Sequence, residues 1–355
     1  MQEPTPNPPP TMRHIAERAG VNRSTVSLAL RNDYRLKPET RERIQAVAAE
    51  MGYRRNPTIA QLMTQLRAGQ QKHFQSNIAV LNFGHRKSLE AKIWQGAQDR
   101  AKALGYGLEL FHTRNTTPQR LEQILVTRGI RGVILASLWG VTRIPDEYTC
   151  IWSRFACCCI GIHPNNPDLH FVNDDNYLTS VNAVQKLAQL GFSRIGLAMH
   201  AGINIETEYR FVGGYLAAHV ANPKLKRLPV LLIDPTDRDK FLSWYRRVRP
   251  EVVICIQEEI LEWLTEAGCQ VPQTVSLAHL DLDATSGGWA GMRQDRMARG
   301  SSAVDVVVSQ INHNEMGPPA SQLAMLRESA WESGATLAPP EQAIPASPRR
   351  RRASR

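Results

Sequence analysis

The chain has 355 residues and a mass of 39.8 kDa, which allows two or three domains and excludes a single small scaffold. Hydrophobic residues make up 42% and charged residues 21%, close to ordinary globular usage, so wholesale disorder is excluded. The net charge of +10 lies at the two ends, because residues 1–72 carry 12 Lys and Arg against 6 Asp and Glu, and residues 346–355 carry five Arg without an acid. The residues between them sum to −1, so we expect a polyanionic partner at the amino-terminal end.

Neither a membrane span nor a metal site is expected. No window holds the 18 or so consecutive apolar residues of a membrane span, and the first residues lack the apolar stretch of a signal peptide. We therefore expect a cytoplasmic protein without membrane contact. The six Cys form no C-x-x-C pair and no His lies at metal-finger spacing, so no metal site is expected. No cofactor is expected either. Cys157, Cys158 and Cys159 lie in the apolar run FACCCIGI, which favours core packing over redox chemistry.

Three short helices are predicted near the amino terminus. Residues 12–19 repeat apolar side chains at helical spacing, and Gly20 can adopt the left-handed conformation that ends a helix. Asn22 is a good N-cap for a second helix, and Pro38 suits the first position of a third helix that ends before Gly52. The tight turn between the first two helices predicts a helix-turn-helix. The second helix presents an outer face made of Arg23, Ser24, Ser27, Leu28 and Arg31.

A short hinge helix is predicted next. Asn56 and Pro57 are typical of an N-cap and a first helical residue, and an apolar stripe about two turns long follows. A helix of this length is too short to be stable alone in water, so it should fold only against a partner. We interpret residues 56–68 as a hinge between domains.

From Ser76 onward, strand and helix patterns alternate. A first series has strands at 78–83, 107–112, 132–136 and 155–162 and helices at 89–104 and 118–128. A second series has helices at 177–190, 207–220, 238–247 and 258–267 and strands at 194–199, 228–233, 251–256 and 274–280. A helix at 301–314 and a last strand within LAMLRESAW, returning to the first series, complete the pattern. Repeated parallel βαβ units predict two doubly wound lobes with a ligand cleft at their strand ends.

Several motifs resemble one family of bacterial regulators. The head TMRHIAERAGVNRSTVSLALRND precedes TRERIQAVAAEMGYRRNP, and the later segments are VNDDNYLTSVNAVQKLAQLGFSRIGLA, EYRFVGGYLAAH and AGCQVPQTVSLAHLDLD. In this order they resemble the lac repressor and purine repressor (LacI/GalR-type) family from about residue 11 to 337. The resemblance implies a small all-α helix-turn-helix head plus an α/β two-lobed, periplasmic-binding-protein-like effector domain.

The expected domain boundaries follow from the patterns and the resemblance together. They are a disordered tail at 1–10, the DNA-binding domain at 11–55, the hinge helix and linker at 56–72, the two-lobed domain at 73–337 and a disordered basic tail at 338–355. Within the two-lobed domain, the N-lobe is expected at about 73–172 plus 301–337 and the C-lobe at about 173–300. Asp175 and Asn176 match the family's passage between the lobes, where we favour a structural role.

The resemblance implies that the second helix is the recognition helix, with Arg23, Ser24 and Thr25 at the major groove. Arg can bind guanine bidentately and Ser or Thr can bond base edges or phosphates. Leu62 matches a hinge leucine that wedges into the minor groove and kinks DNA. The implied DNA contacts are Thr11, Arg23, Ser24, Thr25, Ser27, Leu28, Arg31, Asn56, Ile59 and Leu62. Leu28 stands where relatives carry Arg and Ile59 where many carry Ala, so the operator need not be shared. A solvated helix face and simple linker packing of Leu62 are the alternatives.

An effector site is implied in the two-lobed domain. Arg210 matches the family's effector-contacting Arg and Asp281 its acidic partner, and such groups suit a polar ligand. Phe83 and Trp139 follow strands and could stack on an apolar ligand face. Gln257 and the following Glu replace an Asn-Asp pair of many relatives. The alternatives are a structural ion pair for Arg210 and Asp281 and core packing for the two aromatics.

The function expected from this combination is a ligand-responsive transcriptional regulator that binds a pseudo-palindromic double-stranded operator as a homodimer. The resemblance implies that it is a repressor. Its effector would be a small polar metabolite or sugar held between the lobes. A two-lobed sugar-binding transport protein is the alternative, but it has no use for the head and needs export. No G-x-S-x-G, P-loop, G-x-G-x-x-G or H-E-x-x-H motif supports an enzyme.

Overall fold

The computed structural model describes residues 12–30, 32–51, 76–83, 90–136, 144–161, 168–283 and 287–338. These ranges do not include the hinge expected at 56–68, the amino-terminal tail expected at 1–10, or the carboxyl-terminal tail after residue 338. Two compact units divide the chain, one ending at Phe171 and resuming over Gly300–Leu323, the other spanning Val172–Arg299 and the chain from Ala324. Among the described residues, no helix is long and apolar enough to cross a membrane.

The head consists of three helices: α1 (Met12–Ala19), α2 (Arg23–Leu30) and α3 (Pro38–Glu50). Gly20 has a φ of +64°, as expected for the residue that ends α1, and the N–H of Val21 donates to the carbonyl of Ala16 at 3.0 Å. A small apolar core joins the helices through Ile15, Ala16, Ala19, Val26, Ala29, Ile44 and Ala48. The predicted helix-turn-helix is confirmed.

The first sheet lies largely in the first unit and has the strand order β11-β5-β4-β3-β1-β2. Its strands are β1 (Ser76–Asn82), β2 (Tyr106–His112), β3 (Gly132–Ala136), β4 (Ala156–Ile160), β5 (His170–Asp174) and β11 (Ala324–Arg327). Its helices are α4 (Ala91–Ala103), α5 (Pro118–Thr127) and α6 (Thr149–Trp152), and two short 3-10 turns occur at Thr113–Asn115 and Asp146–Tyr148. The pairs β1–β2, β1–β3 and β3–β4 are parallel, so the predicted βαβ pattern is confirmed.

The three adjacent cysteines lie on β4. Cys157, Cys158 and Cys159 are at most 1% exposed, which supports the core-packing interpretation. Burial raises the pKa of all three thiols, that of Cys159 to about 12, so they stay protonated and unreactive at neutral pH.

The second sheet belongs to the second unit and has the order β12-β10-β9-β8-β6-β7. Its strands are β6 (Ile195–His200), β7 (Leu231–Ile233), β8 (Val252–Cys255), β9 (Ser276–Leu282), β10 (Gly291–Arg293) and β12 (Ala330–Glu332). Its helices are α7 (Asn176–Gln189), α8 (Ala201–Glu206), α9 (Arg210–Ala221), α10 (Arg238–Val248) and α11 (Glu259–Glu266). The pairs β6–β7, β6–β8, β8–β9 and β9–β10 are parallel, whereas β12 runs antiparallel to β10. The last helix, α12 (Arg296–His313), begins in the second unit and continues into the first.

Two details refine the expected organisation. The Asp175 carboxylate accepts from the N–H of Leu178 at 2.9 Å and caps α7, which supports its structural role. The segment LAMLRESAW forms two short strands instead of one, because β11 joins the first sheet whereas β12 pairs with β10. β11 thus returns to the first sheet, as expected, although residues 324–338 lie in the second unit while the N-lobe was expected to include 301–337.

Candidate nucleic-acid interface and effector site

Helix α2 has one face in the head core and the other in solvent. Val26 and Ala29 are fully buried, whereas Arg23 and Ser24 at the amino-terminal end of the helix are exposed. Thr25, Ser27 and Leu28 are half-buried. The first turn of α2 thus presents a guanidinium and a hydroxyl from a helix that its core holds in place, as a recognition helix requires.

The carboxyl-terminal end of α2 is fixed by a residue that sequence reasoning missed. The Gln45 side chain on α3 donates to the Ala29 carbonyl at 2.9 Å and to Oδ1 of Asn32 at 3.3 Å. Just beyond, Arg35 binds both carboxylate oxygens of Asp33, at 2.9 and 2.8 Å. This guanidinium lowers the pKa of Asp33, which keeps the pair charged. The sequence feature that could have identified Gln45 is its polar side chain in an interior turn of α3.

Five of the residues expected to contact DNA lie outside the described ranges. They are Thr11, Arg31, Asn56, Ile59 and Leu62. Trp139, expected near the effector, lies outside them as well. The roles assigned to these six residues remain predictions.

Phe83 belongs to the core of the first unit. Its side chain is 8% exposed and contacts Tyr148 edge to face, with ring centroids 5.2 Å apart. It packs in the same apolar cluster as Leu81 and Leu135. These contacts favour the core alternative over ligand stacking for this residue.

Arg210 and Asp281 each form an ion pair, Arg210 with Glu208 and Asp281 with Arg296, and not with each other. The Arg210 guanidinium donates to the Glu208 carboxylate at 3.0 and 2.7 Å at the start of α9. Asp281, near the end of β9, accepts from Arg296 at 2.9 Å. The Arg210 pair is half-exposed, at 35% and 49%, whereas the Arg296 side chain is only 13% exposed.

Asp281 is one member of a buried polar cluster in the second unit. Asp174, at the end of β5, is 2% exposed and pairs with Arg299 in the first turn of α12. The side-chain amide nitrogen of Gln294 donates to both acids, to Asp174 at 2.9 Å and to Asp281 at 2.8 Å. Burial raises the pKa of Asp174, and the nearby guanidinium of Arg299 opposes that rise. We call Asp174, Asp281, Gln294, Arg296 and Arg299 the acid-arginine cluster.

His279 and Gln257 lie beside this cluster. His279 bonds the Ile256 carbonyl through Nε2 at 2.6 Å, and burial lowers its pKa. Gln257, two residues after β8, has a buried amide nitrogen without a hydrogen-bond partner among the described residues. A buried donor without a partner is costly, so a ligand acceptor or a water could satisfy it. Of the expected effector contacts, Asp281 lies on β9 and Gln257 follows the neighbouring strand β8 by two residues. Within the described ranges, no cluster of three or more His, Cys, Asp or Glu could hold a metal.

Comparisons with known proteins agree with this geometry. The family model "Bacterial regulatory proteins, lacI family" matches residues 11–56. The HTH-type transcriptional repressor PurR of Mannheimia succiniciproducens is 20% identical over 323 residues, which are 86% of this chain and 93% of that protein. The maltose regulon regulatory protein MalI of Vibrio furnissii is 25% identical over 131 residues, covering 36% of this chain and 89% of that protein.

Solved structures show the same fold. The transcriptional regulator CelR in complex with cellobiose has a TM-score of 0.56 at 20% identity, covering 92% of this chain and 99% of that one. The lac repressor dimer bound to operator and the anti-inducer ONPF has a TM-score of 0.54 at 17% identity, with the same two coverages. Residues 11–56 thus match the lacI family of bacterial regulatory proteins, and the chain as a whole is similar in sequence to a purine repressor and in fold to the lac repressor.

Proposed function

We propose that this protein is a cytoplasmic, non-enzymatic transcriptional repressor that binds a pseudo-palindromic operator as a homodimer. The observation that carries the proposal is the exposed first turn of α2 within a head that matches the lacI family over residues 11–56. Arg23 would read guanine in the major groove, with Ser24 and Thr25 on base edges or phosphates. Leu28 can offer only apolar contact, for example to a thymine methyl group.

The other proposed DNA contacts come from α2 itself and from the segments before and after it in the sequence. Thr11, Ser27 and Arg31 would hold the head on the backbone, and a hinge helix over residues 56–68 would place Leu62 in the minor groove. Asn56 would start that helix and Ile59 would pack it against the partner's copy. Two-fold symmetry of a homodimer then gives half-sites about one helical turn apart.

We propose further that a small polar metabolite, a saccharide in the first instance, binds the second unit and changes operator affinity. Arg210, Gln257 and Asp281 are the candidate contacts there, Trp139 remains a predicted contact, and the core packing of Phe83 does not favour a ligand contact for it. The partnerless buried amide of Gln257 and the half-exposed guanidinium of Arg210 support a ligand with hydroxyl groups. The cellobiose complex of the similar regulator CelR supports the saccharide class.

The test is selection of bound duplexes from a random pool, first without and then with a panel of sugars and nucleobases. We expect enrichment of a palindrome, and Arg23→Ala should weaken its binding by about 1–3 kcal/mol and relax one or two positions of each half-site. Arg43→Ala, at an exposed position on α3, is the matched control and should leave the selected sequence unchanged. Failure to enrich any palindrome would favour the transport-type sugar-binding alternative.

A further inference from the structure

A group of exposed cations lies at the amino ends of the strands in the second sheet. The connections into β6, β7 and β8 meet there, since the N–H of Lys226 donates to the Ser193 carbonyl at 2.9 Å and Nε of Arg194 donates to the Arg249 carbonyl at 2.9 Å. We call six exposed residues of these connections and of the last turn of α10 the amino-edge patch. They are Lys224, Lys226, Arg227, Arg246, Arg247 and Arg249.

The patch differs from most other basic side chains of the second unit in having no acidic partners. None of its six cations lies within 4.0 Å of a carboxylate among the described residues. Elsewhere in the unit such pairs are frequent. They join Arg210 to Glu208, Arg238 to Glu266, Lys240 to Asp237, Arg293 to Glu332, Arg296 to Asp281 and Arg299 to Asp174.

No nearby carboxylate of the described residues is available to neutralise the charge of this patch. Glu251 is the one acid in the segments 193–194, 222–229 and 246–251, and its carboxylate is used by the N–H groups of Ser193 and Arg194 at 2.8 and 2.9 Å. Arg194 itself bonds the Val248 and Arg249 carbonyls at the end of α10 and has a structural role. The six patch cations make no such bond with their side chains in the described chain.

The backbone at Arg249 also indicates that the charge is retained at a structural cost. This residue ends α10 with a φ of +48°, a conformation for which Gly or Asn is preferred. Helix-dipole stabilisation favours cations in the last turn, as at Arg246 and Arg247, but it does not account for Lys224, Lys226 and Arg227 in the connection after α9.

We propose that the amino-edge patch binds the phosphate backbone of duplex DNA, so that one molecule can hold a second DNA segment besides the one at its head. Uncompensated Lys and Arg gain affinity for DNA by releasing condensed counterions, without reading sequence. The patch lies at the edge of the sheet opposite to the carboxyl end of β9, where Asp281 belongs to the acid-arginine cluster, so the two sites are separate.

The side chains of the patch favour DNA over a protein partner. Protein interfaces depend on buried aromatic or aliphatic anchors, and none of the exposed large hydrophobic residues of the described chain lies in segments 193–194, 222–229 or 246–251. The same segments lack an exposed aromatic ring, so stacking on single-stranded bases is not favoured either.

The test measures bridging of two duplexes by the full-length protein. A random-sequence 40-bp duplex labelled with a donor and the same duplex labelled with an acceptor are mixed with protein in about 50 mM KCl, and energy transfer is recorded as salt is raised. The patch variant is Lys224→Gln/Arg227→Gln/Arg247→Gln. The matched control, Lys92→Gln/Lys102→Gln/Arg120→Gln, removes the same charge from exposed positions of the first unit. Heads and tails are identical in all three proteins.

We expect wild type and control to bridge equally and the patch variant to bridge about fivefold less, with an unchanged melting temperature. Equal bridging by patch variant and control would overturn the proposal, whether or not an operator is found for the head. Patch-dependent binding to phosphatidylserine vesicles or to a poly-Glu peptide, without patch-dependent bridging of DNA, would also overturn it and would assign the patch to another polyanion.

Discussion

The N–H of Asp281 donates to Nδ1 of His279 at 3.1 Å. Because this donor is a backbone N–H, Nδ1 must be unprotonated, and the proton of the neutral ring lies on Nε2, which bonds the Ile256 carbonyl at 2.6 Å. The imidazole therefore ties the end of β9 to the residue that follows β8. Protonation of Nδ1 would oppose two N–H groups and break this tie.

Stability should consequently depend on pH through His279. Burial lowers the pKa of His279 below the ordinary 6.5. Below about pH 6.5 the unfolded chain therefore binds a proton that the folded chain does not, and the free energy of unfolding decreases as the pH is lowered. We expect the loss in melting temperature between about pH 7.5 and about pH 5.5 to be smaller in His279→Asn than in wild type. His219 and His170 have the same sign of shift but are present in both proteins. His313→Asn, at an exposed site, is the control, and an equal loss in all three would refute the assignment.

Two adjacent glycines of α9 should respond oppositely to alanine. A Cβ on Gly214 would lie 2.2 Å from the backbone carbonyl oxygen of Tyr177 on α7, whereas the nearest atom to a Cβ on Gly213 is a Tyr177 ring carbon at 3.9 Å. Gly214→Ala should therefore cost about 1–3 kcal/mol of unfolding free energy by forcing the helices apart. Gly213→Ala should gain up to about 1 kcal/mol through helix propensity. Urea unfolding of the two variants measures the difference, and similar values would contradict the close approach of α7 and α9.

The ion pair between Asp174 and Arg299 should be needed for stability. Arg299→Met leaves the Asp174 carboxylate, 2% exposed, without its cation and should cost about 3–5 kcal/mol in urea unfolding at neutral pH. Adding Asp174→Asn should recover part of the loss, because the buried charge is then removed. The half-exposed pair is the control, and Glu208→Gln should cost about 0–1 kcal/mol. A small effect of Arg299→Met would show that water reaches this pair.

Arg210 and Glu208 allow effector binding to be separated from folding, given an effector from the proposed screen. Arg210→Ala should keep the melting temperature and lose the change in operator affinity caused by the effector, because a ligand shifts an equilibrium only through contacts that differ between states. Glu208→Gln breaks the same ion pair but leaves the guanidinium and should keep the response. If both variants lose the response equally, the pair with Glu208 is what matters, and Arg210 has no ligand contact of its own.

The periodicity of apolar residues predicted helices and strands well where their buried faces are apolar. The strand at 132–136 and the helix at 118–128 were expected within one residue of their observed bounds. The helix expected to begin at 301 starts at Arg296. Its first turn carries Arg296 and Arg299, which pair with Asp281 and Asp174, and hydrophobic spacing cannot detect such guanidinium groups. Helix α8 was not predicted because its six residues are too few to show a helical repeat of apolar side chains.

Resemblance identified Arg210 and Asp281 but not their partners. Glu208 is two residues from Arg210, while Arg296 is 15 residues from Asp281, and only the folded helix start brings it there. Likewise, the sequence alone does not distinguish Gly213 from Gly214, because the difference depends on which one faces Tyr177 across the helix contact.

The last strands of the chain also constrain its folding during synthesis. The N–H of Leu323 donates to His170 at 3.0 Å across 153 residues, and β11, which begins at the next residue, completes the first sheet beside β5. That sheet lacks its edge strand β11 until the ribosome has made residue 327, after the whole of Val172–Arg299 in the second unit. Pairings of such long sequence separation slow folding and leave strand edges exposed in the nascent chain. A nascent chain stalled before Ala324 should therefore depend on chaperones more than a chain released at its end.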